Sequence, residues 1–143
     1  MGKELNIGTE LNIGTGSLTL EQVNLMLDHL PLELSFVDKD NLVTYFNNTH
    51  GEKMFIRTPN SIGRDMLMSH PPKSKAIVEK LLNDLKSGEK DKQDAWYQTK
   101  EGRIIHITFV AVRDGEDYLG VLEYVQDITE ITQLEGTNRD VNA

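Results

Sequence analysis

A chain of 143 residues, 38% hydrophobic and 27% charged, is the size of one domain and long enough to bury a core. Its net charge of −8, from 15 Lys and Arg against 23 Asp and Glu, repels phosphate backbones and argues against nucleic-acid binding. Cysteine is absent, which excludes disulfides, thiolate catalysis and zinc-thiolate sites.

No apolar run approaches the roughly 20 residues of a bilayer span. No basic-then-apolar leader is read either, so a cytoplasmic address with no membrane partner is expected. At the N-terminus Glu4 to Thr9 recurs as Glu10 to Thr15, among Gly8, Gly14 and Gly16. Two hexamers are too few for a solenoid. Residues 1–16 read as a flexible arm, with an added edge strand as the alternative.

Residues 19–31, "TLEQVNLMLDHLP", read as a helix. Thr19 and Gln22 form a capping box, and Pro31 marks the stop. Leu20, Val23, Leu27 and Leu30 recur at helical spacing with Met26 beside them. That stripe packs either on the domain's own core or on a second copy, and a homodimer is expected.

In "LELSFVDKDNLVTYFNN" the turn formers Asp38-Lys39-Asp40-Asn41 separate two apolar runs, the pattern of a β-hairpin. Residues 48–69 read as short helices and loops, broken by Pro59 and Gly63. Pro71 and Pro72 suit the first positions of the next helix, where a missing N–H costs nothing. Ile77, Val78, Leu81, Leu82 and Leu85 make its apolar face, and Gly88 stops it. Its length is about 24 Å.

Three strands follow: "QDAWYQT", "RIIHITFVAVR" and "YLGVLEYVQDI". The fold class is therefore α+β, with one antiparallel sheet and helices over one face. The domain spans 17–135, and 136–143 reads as a tail. In "DITEITQLEG", Ile128, Ile131 and Leu134 make a short amphipathic turn that is either the root of an output helix or a frayed end.

The order of elements resembles the PAS family, whose five-stranded antiparallel sheet is closed over one face by helices. "FVDKDNLVTYFN" is similar to the opening hairpin of that family, "SIGRDM" to the step before its long helix, and Asp127-Ile128-Thr129 to its exit. Residues 16–136 more closely resemble the PAS domain at the C-terminus of proteins with a domain of unknown function and a hemerythrin-like cation-binding domain. The matching blocks are His70-Pro71-Pro72-Lys73-Ser74, then Ser87-Gly88, Lys90-Asp91 and Trp96, then Ala111 to Asp114 and Tyr118 to Glu123. Many such relatives place a cysteine before the histidine, where this chain has Ser69. A hemerythrin-like domain is a partner in the related proteins. The chain itself is either a stand-alone member or an excised piece.

The resemblance implies a ligand chamber between sheet and helices, holding a small metabolite, haem, flavin or nothing in different members. Candidates for its wall are Phe36, Phe46, Met54, Phe55, Met66, Met68, Ile77, Leu81, Trp96, Ile105, Phe109 and Tyr124. The same residue types would fill a ligand-free core equally well. His70 has three readings: an axial haem ligand, a capping or pocket-gating polar group, or a surface residue. Lys73, Ser74 and the free N–H groups of the helix start, aided by Arg57 and Arg64, suit a carboxylate or phosphate. His106 reads as a sheet-surface residue. No phosphate loop, paired metal-binding histidines or nucleophile elbow occurs, and no enzyme is expected. The expected function is a sensory domain binding a small ligand without catalysis. The alternatives are a ligand-free dimerisation or interaction module and, third, a haem sensor using His70.

Overall fold

The first described element of the computed structural model is a small hairpin, β1 (Glu10–Ile13) paired with β2 (Gly16–Thr19) across Gly14 at φ 55°. The structure describes residues 9–51, 53–55 and 57–140. Residues 10–16 thus form neither an extended arm nor an edge of the main sheet, and the rest of that arm, residues 1–8, lies outside the described residues. Residues 141–143 of the tail also lie outside them.

Thr19 closes β2 and opens helix α1 (Leu20–Asp28). Its hydroxyl accepts from Gln22 N, and the Gln22 side chain accepts from Thr19 N, so the expected capping box forms. No α1 residue is buried. What ties its C-terminus to the sheet is polar: the Asn47 amide donates to the carbonyls of Leu27 and Leu32 and accepts from Leu34 N.

Strands β3 (Glu33–Asp38) and β4 (Val43–Phe46) make the predicted hairpin. Asp38 Oδ1 accepts from Asp40 N and Leu42 N, and Asn41 takes φ 67°, the left-handed region that asparagine tolerates. Residues 63–66 then return alongside β4: Gly63 N donates to Val43 O, Val43 N to Arg64 O, and Met66 N to Asn41 O. The long helix α2 (Pro72–Ser87) follows and ends at Gly88, φ 90°.

Strands β5 (Lys92–Gln98), β6 (Ile104–Asp114) and β7 (Asp117–Asp127) complete a fully antiparallel sheet in the order β4-β3-β7-β6-β5. Side chains alternate between its faces. Val37, Phe109 and Val121 pack against Val78, Leu82 and Leu85 of α2 and Met66 and Leu67 before it, forming the core. Gly120 is required in β7. A Cβ there would stand 2.2 Å from Val37 O, and its φ of 153° is strained for other residues. Among the described residues no helix is long and apolar enough to cross a membrane.

Candidate functional site

Although α2 crosses the sheet, it does not lie flush on it. Between them is a cavity of about 900 Å³. Its sheet floor comes from alternating positions: Ser35 and Val37 of β3, Gln93 and Ala95 of β5, Ile107 and Phe109 of β6, and Glu123 of β7. Its roof is Ile77, Val78 and Leu81 of α2, and its side wall runs through Val43, Phe55, Arg57, Arg64, Met66 and His70.

The C-terminal end of the roof is tightly held. Arg113 Nη2 donates to Leu85 O at 2.6 Å and to Lys90 O at 3.3 Å, and pairs with Asp91. A guanidinium there satisfies carbonyls that a helix end leaves open and complements its negative pole. The N-terminal end is loose. Ile77 is 72% exposed while it also borders the cavity.

The polar heart of the floor is Glu123. This buried acid meets Arg57 Nη2 at 3.2 Å, and the Arg57 guanidinium lies 5.7 Å from the Phe55 ring centre. Burial pushes the Glu123 carboxyl above its ordinary value, against the pull of Arg57 and then His70. Glu33 holds the Arg57 segment down by accepting from the backbone N–H groups of Met54 and Phe55. At the other wall His70 Nδ1 lies 3.0 Å from Met66 O. A carbonyl can only accept, so Nδ1 carries the proton of this contact.

Of the residues expected at the site, His70, Phe55 and Met66 line the cavity, as do Ile77, Leu81, Phe109, Arg57 and Arg64. Several others do not. Trp96 pairs with His106, and Tyr124 with Leu34 and Thr108, so both aromatics sit on the face away from α2. Phe36 pairs with Tyr45 and Leu122 and shares that face. Phe46 has the inner register, opposite Ser35, but borders a separate pocket of about 40 Å³ with Glu33 and Asn47. Met68 is 75% exposed, because its short 3₁₀ turn (Met66–Ser69) turns Met66 and Leu67 inward and leaves Met68 and Ser69 outside. Lys73 is exposed, and the Ser74 hydroxyl donates to Pro71 O at 3.3 Å. Pro71 O also accepts from Ser74 N and Lys75 N, so those two N–H groups are taken within the helix start.

Glu123 is the residue that sequence reasoning missed. Its signal was an acid between Val121 and Val125, which share its face and are buried. His106 is on the outer face as expected, with Nε2 at 3.0 Å from Asp94.

At the exit, Asp127 accepts from Arg103 Nε at 2.8 Å and from the Thr129 N–H and hydroxyl, and Arg103 also reaches Glu130. These bonds, Arg103 first, hold the Asp127 carboxyl down to about 2. The amphipathic turn beyond it is a 3₁₀ turn (Ile131–Gln133) with Ile131 and Leu134 exposed.

Residues 23–129 match the family model described as "PAS domain". The chain is similar to a C-terminal domain from Streptococcus mutans, at 43% identity over 89% of this chain and 98% of that one, with a TM-score of 0.83. It shares its fold with a PAS domain from Colwellia psychrerythraea (19% identity, 78% and 98% covered, TM-score 0.56). A sensory box sensor histidine kinase from Vibrio cholerae shares it too (15% identity, 75% and 90% covered, TM-score 0.53). No curated protein sequence matches the chain.

Proposed function

This chain belongs to the PAS domain family, and from that premise we propose that it is a sensory module that takes a small ligand between its sheet and α2, without catalysis. The observation that carries this reading is the cavity of about 900 Å³. That volume is near the upper end of ligand pockets, about 300–1,000 Å³, whereas a filled interaction module would leave little space there. Its walls join apolar groups to a few convergent polar ones, the usual make-up of such sites.

Ligand uptake would act on the roof. With α2 fixed at its C-terminal end by Arg113, occupancy moves the looser N-terminal end and the His70 segment, and the shift reaches neighbouring elements as a population change. We propose α1 and the turn after it as the place where a second copy reads it, since Leu20, Leu25 and Met26 of α1 and Leu30 beyond it are all exposed.

Haem does not fit these residues. His70 Nε2 is a suitable single nitrogen, but a porphyrin needs an apolar slot, and the floor opposite holds the Arg57–Glu123 pair. Purified protein is accordingly expected to show no Soret band.

The direct test is native mass spectrometry of the protein as purified and after exposure to a metabolite extract. A bound species that Ile107→Trp expels by filling the chamber supports the reading. A bare protein under every condition would sink it.

A further inference from the structure

The uncommitted charge in the cavity is positive. Asp84 is paired with Lys80 at 2.8 Å, and Asp94 with His106 and Lys92. Lys90 donates to Gln93 at 2.7 Å. Glu33 is occupied by two backbone N–H groups. Arg64 has no ion pair among the described residues, and Arg57 has one, to Glu123 Oε1. Among the described residues, Arg57, Arg64, His70, Lys80, Asp84, Lys90 and Asp94 are the ionisable side chains that border the cavity with Glu123, and Glu33 lies behind the Arg57 segment.

We propose, building on the chamber reading above, that the ligand is an amphipathic carboxylate which replaces Glu123 on Arg57, leaving Glu123 to take up a proton. The apolar body would lie against Val78, Leu81, Ile107 and Phe109, and the head group between Arg57 and Arg64. Guanidinium matches a carboxylate in a two-pronged geometry. Two carboxylates on one partly buried guanidinium repel each other, and the one deprived of water gives way by becoming neutral. Glu123 is that group: it is 7% exposed, and burial already favours its acid form. The step balances simply: one carboxylate leaves Arg57, one arrives, and one proton enters from solvent. Ligand capture thus becomes sensitive to pH.

The test uses the whole chain, the neutral dye N-phenyl-1-naphthylamine to report the chamber, and octanoate with octanamide as competitors. Octanoate is expected to displace the dye at least about tenfold more effectively than octanamide, the scale of one charge-assisted hydrogen bond. Calorimetry in buffers of different ionisation enthalpy should show uptake of about one proton per octanoate above the Glu123 pKa. Glu123→Gln should abolish that uptake and strengthen octanoate binding at pH 8, whereas Arg57→Met should erase the preference over octanamide. Dye binding with equal competition by acid and amide overturns the carboxylate assignment alone. Preferred octanoate binding without proton uptake, or unchanged uptake in Glu123→Gln, overturns the exchange. If the dye does not bind at all, the chamber reading falls with it.

Discussion

The two ends of α2 obey different rules. At the C-terminal end Leu82 and Leu85 are buried to within 2%, and Arg113 grips the Leu85 carbonyl and that of Lys90 just beyond the helix. At the N-terminal end Ile77 is mostly exposed and His70 is only partly buried, although Val78 is buried, and the cavity beneath α2 reaches from Ile77 to Asp84. Both ends carry apolar residues at helical spacing, so the difference does not come from the pattern of α2. It comes from what faces it. Val121, fully buried, belongs to the core cluster with Leu82 and Leu85, while Ser35, Gln93 and Ala95 bring small or polar side chains to the cavity floor. A close-packed core tolerates few voids, so a helix pinned at one end over a floor that includes small and polar side chains is a device for keeping one.

Leu85→Ala should give the largest break in this comparison. A fully buried leucine loses transfer energy and leaves a cavity, so about 2–5 kcal/mol of stability should vanish, read from the urea midpoint. Arg113→Met comes next, at about 1–3 kcal/mol, since it strips partners from the Leu85 and Lys90 carbonyls. Hydrogen exchange should then quicken at residues 84–88 and stay unchanged at 104–108. Ile77→Ala should cost no more than about 0.5 kcal/mol, yet alter dye binding in the chamber. Equal losses from Ile77→Ala and Leu85→Ala would show that the two ends are packed alike.

The smallest effect is set by pH and separates two acids of β7. Asp127 is held near 2, below the ordinary carboxylate value. Its stabilisation is therefore present above that ordinary value and is lost as pH falls toward 2. Glu123 has the opposite sign: its raised value gives a stabilisation present below the ordinary range and lost as pH rises through the raised one. Melting temperatures from pH 6 to 2 should fall less steeply in Asp127→Asn, and Glu123→Gln should remove a loss that appears on raising the pH. Because Asp127 is close to solvent, its part should be small and weakened by salt.

Local chemistry made much of the fold legible. Thr19 and Gln22 announced a capping box, Asp38 to Asn41 a turn, and the proline pair and Gly88 the two ends of α2. The site was harder. Phe36, Trp96 and Tyr124 were plausible chamber walls by residue type, but each belongs to the outer face of the sheet. Alternation along a strand tells which residues share a face and is silent about which face a helix will cover.

What the residues determined alone was the kind and order of elements, because caps, turns and periodicity act over a few neighbours. The pairing of Glu123 with Arg57, 66 positions apart, the exclusion of Lys73 and Ser74 from the cavity, and the cavity itself were decided only in three dimensions. They depend on which sheet face α2 covers and on how Arg113 holds one end of it down, and those contacts join parts of the chain that no local pattern relates.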